Sequence, residues 1–308
     1  MQITMKNKNR STRPKSKGFT LVELLIAMTL GFFLIAGIGT VYLGSKKTYK
    51  LQGQTAELDE NARHALRALK HHIAHAGYAS TSGVVLDDYI IPDGASISAA
   101  TCADGSPNIE SGATIGTSGD GTAATSAAIT QILAEGDTLG LRFMADDNLA
   151  TDCLGGALTT ACLPPAAPSP EARLIYNSFS IARSSIDNSR DDFVPMLRCR
   201  GSRNVNGQDM ARGVENIQFL YGIDQAADGS SDGSVDSYWN ATAVSAAGAW
   251  DKIISVRVGL LIRSVEPVFD DSRAETYQVL DQSIAKNDRY QRGVYSTTIR
   301  LKNVARRM

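Results

Sequence analysis

The hydrophobic pattern divides the chain into distinct rhythms. From Phe19 to about Leu43 the residues are almost all apolar, and the only charge is Glu23. A run of that length matches the ~20 residues a helix needs to cross the hydrocarbon core of a bilayer. Farther on, the apolar positions take a spacing of three and four: Leu58, Ala62, Ala65, Leu66, Leu69, Ile73 and Ala76. That spacing predicts one face of an amphipathic helix, with Glu57, Asp59, Glu60, Arg63, Arg67 and Lys70 on the other positions. No proline interrupts residues 19–77. A single helix over that range would be about 85 Å long at 1.5 Å per residue. Gly44 and Gly53 are its expected weak points, since a glycine costs ~1 kcal/mol relative to alanine inside a helix. Gly77 suits its C-terminal cap.

Beyond Gly77 the rhythm changes to alternation. Strands are predicted at 137–144, 173–182, 193–199, 214–221, 252–263 and 294–301. Leu139, Leu141 and Phe143 share one side of the first, and Val256, Val258, Leu260 and Ile262 share one face of the strongest. Residues 94–136 are dominated by Ala, Ser, Gly and Thr and read as a long loop or insertion. Pro164, Pro165, Pro168 and Pro170 block helix and sheet between two of the strands. One N-terminal helix followed by strands reads as α+β, with an antiparallel sheet laid on the helix.

Charge changes the picture at the N-terminus. Lys6, Lys8, Arg10, Arg13, Lys15 and Lys17 precede the apolar run, with no acidic residue among them. Such a leader stays in the cytoplasm by the positive-inside rule. The run starts immediately after Gly18 and has no small-residue cleavage site at its far end, unlike an ordinary secretory signal. Glu23 is costly there, about 2.5–3.5 kcal/mol at the centre of a span and less near an end, so it calls for a partner. Cleavage between Gly18 and Phe19 would create an α-amine about one helical turn from Glu23, or from the Glu23 of a neighbouring subunit.

The stretch Gly18-Phe19-Thr20-Leu21-Val22-Glu23-Leu24-Leu25-Ile26-Ala27 resembles the class III signal of type IV prepilins and type II secretion pseudopilins. The resemblance implies cleavage after Gly18 by prepilin peptidase, N-methylation of Phe19, and pairing of Glu23 with the N-terminus of an adjacent subunit. The expected organisation is a leader at 1–18, a membrane or filament-core helix at 19–43, its amphipathic continuation at 44–77, and an exported β-rich domain at 78–308.

Composition narrows the function. The net charge is −1, so removing the six leader cations leaves the rest near −7. That argues against a nucleic-acid-binding surface on the exported part. Cys102, Cys153, Cys162 and Cys199 all lie beyond the apolar run, and their even number favours two disulfides. In an antiparallel sheet the loop holding Cys153 and the end of the 193–199 strand reach the same edge. That favours Cys153–Cys199 with Cys102–Cys162; the alternative is Cys153–Cys162 with Cys102–Cys199. The four histidines, His64, His71, His72 and His75, fall on the amphipathic half, where a solvated face competes with a metal site or pH switch. Asp224, Asp228, Asp232 and Asp236 form an acidic Gly/Ser-rich loop that could hold calcium, but without EF-hand spacing; a solvated hairpin loop is the simpler reading. No P-loop, nucleophile elbow, zincin or dinucleotide motif is present, so no enzyme and no cofactor is expected.

Later segments narrow the resemblance. Glu60-Asn61-Ala62-Arg63, Ala76-Gly77-Tyr78, Asp152-Cys153-Leu154-Gly155, Leu197-Arg198-Cys199-Arg200-Gly201, the 214–224 stretch, Val256-Arg257-Val258 after Trp250, and residues 295–303 resemble the PilW family of minor pilins. That resemblance implies a low-abundance subunit helping to initiate type IV pilus assembly, near the tip. Its implied partners are other minor pilins, the major pilin and the inner-membrane assembly platform. Its implied place is the inner membrane with a periplasmic domain, then the pilus fibre. A type II secretion pseudopilin shares the same signal, and a membrane-tethered periplasmic enzyme is the alternative of another class.

Overall fold

The computed structural model describes residues 18–79, 86, 89–92, 95, 97–110, 136–183, 194–225 and 230–304. Most of the low-complexity stretch and the basic leader therefore lie outside the described residues. Two compact units form, Met1–Gln52 and Gly53–Met308.

Helix α1 covers Leu21–His75 and passes through Gly44 and Gly53 without a break. In the first unit its apolar side chains face outward: Leu21 is 76% exposed and Phe33 78%. Its hydropathy and length suffice to cross a membrane. In the second unit the stripe Leu58, Ala62, Ala65, Leu69 and Ile73 is buried. Alanines at 62 and 65 let the sheet approach the helix closely, while the leucines and Ile73 supply area worth about 25 cal/mol per Å². The helix ends at His75, and the turn that follows holds Gly77 at a φ of +74°, favourable for glycine. A Cβ there would also press on the Tyr89 ring stem, 3.1 Å away.

The strands divide between two sheets. β1 (Leu139–Met144), β2 (Leu174–Arg183), β3 (Pro195–Gly201) and β4 (Asn204–Arg212) form an antiparallel meander in chain order. Gly213 then turns the chain into the second sheet. Its strands are β5 (Val214–Ile223), β6 (Ser237–Trp239), β7 (Ile253–Arg263) and, from the end of the chain, β10 (Arg292–Arg300), ordered β10-β7-β5-β6. Between β6 and β7 a short helix α2 (Ala241–Ala247) is capped by the Asn240 side chain. Between β7 and β10 lies a hairpin, β8 (Arg273–Val279) and β9 (Gln282–Asp288).

One core joins these parts. Phe179, Ile181 and Leu197 of the first sheet and Phe219, Val256, Val258 and Leu260 of the second pack with the buried stripe of α1. Asp137 ties the sheets together: its amide donates to Ile217 O, and its carboxylate accepts from the Phe219 amide at 2.8 Å. The C-terminal segment holds the helix. Tyr295 donates to Asp59 at 2.6 Å, and Asn303 Nδ2 donates to the carbonyls of Ala74 and Ala76, which have no further helical turn to bond.

Asp152 is the main polar anchor of the long loop after β1. It is 4% exposed and accepts from the amides of Leu154, Gly156 and Arg203, all at 2.8–2.9 Å. These bonds fasten that loop to the β3–β4 turn, and Gly201 leaves the space the carboxylate occupies. Asp152→Ala should therefore destabilise the second unit by about 2–3 kcal/mol, because three amides lose their acceptor. Urea unfolding followed by the fluorescence of Trp239 and Trp250 measures it; an unchanged midpoint would show that the carboxylate anchors nothing.

Candidate functional site at the start of the helix

The first turn of α1 is built by Thr20 and Glu23. Glu23 Oε2 accepts from the Thr20 amide at 2.9 Å and from the Thr20 hydroxyl at 3.0 Å, while the Glu23 amide donates to Thr20 Oγ1 at 3.3 Å. This reciprocal arrangement is a capping box, which satisfies helix-end amides that an apolar setting cannot. The carboxylate also sits at the positive end of the helix dipole. Thr20 is the functional residue that sequence reading passed over, although Thr-x-x-Glu ahead of an apolar run is its signature. Phe19 and Gly18 precede the cap in non-helical backbone, and Phe19 is exposed. Chemically the site offers an accessible backbone junction at 18–19 and a fixed carboxylate one turn beyond it.

The cysteines form two bridges, both in the second unit. Cys102 joins Cys162 with Cα atoms 4.7 Å apart, and Cys153 joins Cys199 at 6.5 Å. Cys102 and Cys162 lie in a satellite cluster with Phe143, Leu158 and Ile175; Cys153–Cys199 fastens the loop to the centre of β3. The loops spanned, 60 and 46 residues, correspond to about 4 kcal/mol each in the chain-entropy account.

The histidines separate in role. His64 Nε2 lies 3.1 Å from Met210 O. His72 packs on Phe179, and burial, with His71 and His75 beside it, pushes its pKa down to about 4. His71 and His75 stack edge-on at 4.6 Å, and His75 Nδ1 meets His71 O at 2.6 Å. The acidic loop is organised inward. Both oxygens of the buried Asp224 accept backbone amides, from Asp232 and Gly233, while Asp232 accepts from Ser234 and Asp236 from Gln225. These carboxylates brace their own loop; Asp228 lies outside the described residues. Among the described residues no group of three or more His, Cys, Asp or Glu is arranged to hold a metal ion.

Comparison with known proteins bears on both ends of the chain. Residues 13–39 match the prokaryotic N-terminal methylation motif, and residues 179–303 match the type IV pilus-assembly protein W family, PilW. The chain carries a PilW domain behind a prepilin methylation motif, the pattern of a type IV pilin-like protein. The PilW match begins at Phe179 in β2 and runs through β10 to Asn303, so it takes in the second half of β2, β3, β4, the second sheet, the hairpin and the segment that clamps α1, and leaves out β1. The methylation motif contains Gly18, Phe19, Thr20 and Glu23. A solved type IV-like pilin from Thermus thermophilus is similar at 12% identity and TM-score 0.35, covering 82% of this chain and 97% of that one. No curated protein matches. A prepilin motif ahead of a PilW domain points to a structural subunit in a pilus-assembly context, processed by a peptidase and anchored by its apolar helix.

Proposed function

We propose that this chain is a minor pilin of the PilW type that helps initiate and assemble type IV pili, close to the filament tip. It enters the inner membrane by residues 19–43, with the basic leader in the cytoplasm and the disulfide-bonded unit in the periplasm. Prepilin peptidase cleaves between Gly18 and Phe19 and methylates the new amine. Glu23 then pairs with an α-amine in the assembly, and the subunit passes into the fibre with other minor pilins and the major pilin, through the inner-membrane platform. The observation that carries this reading is the capped carboxylate four residues after the junction, in an otherwise apolar exposed run. A lone plain anchor would have no use for a charge that costs up to about 3 kcal/mol in lipid.

Deleting the gene should abolish surface pili while secretion of folded enzymes continues. Loss of secretion with pili intact would instead assign the chain to a type II secretion pseudopilus. Processing has its own test. Intact-mass analysis of the membrane fraction should give a chain starting at methylated Phe19, and Gly18→Val should retain the leader, because a branched side chain crowds the junction. A mature chain starting elsewhere would refute the assignment of the cleavage site.

A further inference from the structure

The second unit contains a groove that the assembly role of Glu23 does not use. Its volume is about 640 Å³. One wall is the last two turns of α1, from Lys70 to His75; the other is the end of β10 and the residues after it, Thr298 to Lys302. Lys70, Arg300 and Lys302 line it together with His71 and His75, and among the described residues no carboxylate does. Arg300 Nη2 donates to Gly233 O at 3.2 Å, which takes its guanidinium toward the loop before β6 and leaves Lys70 and Lys302 as the groove's cations.

The strand on this wall is an edge. β10 pairs with β7 from Arg292↔Arg263 to Arg300↔Ser255, and among the described residues no strand lies on its other side. An open edge presents amides and carbonyls that another extended chain can pair. It also carries Val294, the exposed large hydrophobic of the second unit among the described residues. We propose that this groove binds an extended acidic segment of a neighbouring protein, laid along the free edge of β10 with its carboxylates toward Lys70 and Lys302. Strand addition supplies affinity through main-chain hydrogen bonds, and side chains at alternate positions supply selectivity. The charge disfavours a metal ion at His71 and His75, since two lysines line the site and one ring nitrogen of His75 faces a carbonyl. The groove's chemistry holds whatever filament the chain belongs to.

The test uses the full-length protein in detergent at pH 7. The probe is a fluorescent octapeptide of alternating threonine and glutamate, with an alternating threonine–lysine peptide and a backbone N-methylated copy of the acidic one as comparisons. The acidic peptide should bind saturably and slow hydrogen exchange at residues 296–301. Lys70→Gln combined with Lys302→Gln should weaken binding about three- to tenfold, the size expected for two partly exposed charge pairs. The fluorescence of Trp239 and Trp250 checks that the variant is folded. Equal binding of the lysine peptide or of the N-methylated peptide would overturn the proposal. So would no saturable binding, or slowed exchange at β10 with anionic phospholipid vesicles in place of the peptide.

Discussion

Replacing Arg292 by methionine should destabilise the second unit by about 3–5 kcal/mol, the cost of removing one partner from a buried ionic cluster. The Arg292 side chain is 2% exposed. Its Nε and Nη2 reach the two oxygens of Glu215 at 2.6 and 3.1 Å, and its Nη1 and Nη2 reach those of Asp288 at 2.7 and 2.6 Å. One guanidinium therefore serves two carboxylates, each bidentately, and ties β10 to β5 and to the hairpin strand β9. Lys286 adds a weaker contact to Glu215 at 3.4 Å. Methionine keeps most of the volume but leaves Glu215 and Asp288 facing each other's charge across an apolar stem. Arg292→Lys should recover only part of the loss, because an ammonium cannot bond two carboxylates as a fork does. The sign with pH follows from Asp288. Its hydrogen bonds to Arg292 hold its pKa below the ordinary 3.8. A carboxylate depressed in the folded state contributes stability above its unfolded pKa and loses it as pH falls through the folded one. The deficit of Arg292→Met should thus be full at pH 7 and shrink below about pH 4, where Asp288 of the variant becomes neutral. Urea midpoints at pH 7 and pH 3.5, read by tryptophan fluorescence, check both points. An equal deficit at the two values would mean that lost packing, and not orphaned charge, is the cause.

The elements that one buried face defines were the legible ones. The stripe from Leu58 to Ala76 and the alternation of Val256, Val258, Leu260 and Ile262 meet in one core, so each pattern records the other. The hairpin β8–β9 left no such trace. Its strand Arg273–Val279 is exposed except toward its end, and Gln282–Asp288 alternates between exposed and half-buried positions that are mostly polar. It is held by Arg292 and by Leu280 resting over Gly259, neither of which is a periodic signal. β4 was hidden for a related reason: it is an edge strand whose residues are mostly polar, and its ladder to β3 is broken by two register shifts. β2 is buried on both faces, with Leu174 and Tyr176 in one cluster, Ile175 in another and Phe179 in the main core, so alternation said little about its surroundings. The division into two sheets is set by Gly213 and by Asp137 reaching β5, contacts distant in sequence. At the helix start, residue types were legible and geometry was not. Glu23 stood out by its charge, whereas Thr20 matters through a hydrogen bond that a hydropathy pattern does not register.

Glu23 and Thr20 can be separated by substitution, and the proposed pairing predicts opposite outcomes. Glu23→Gln keeps a side chain that completes a capping box, since glutamine serves at that position as glutamate does. The helix start should stay intact, and insertion should become easier because no charge enters the membrane. What the variant lacks is the countercharge for a neighbour's α-amine. A close charge pair at an interface couples by about 1.5–7 kcal/mol, so association with other pilins should fall at least tenfold, and piliation with it. Thr20→Ala does the reverse. It removes the hydroxyl that bonds Glu23 and costs the cap roughly 1 kcal/mol, but it leaves the carboxylate charged. Its assembly should be close to normal. Co-purification of tagged variants from membranes, with surface pili counted in parallel, decides between the two roles. If Thr20→Ala disrupts assembly as much as Glu23→Gln, the carboxylate acts by shaping its own helix and no intersubunit pair is needed. If Glu23→Gln assembles as well as the original chain, its charge has no part in assembly.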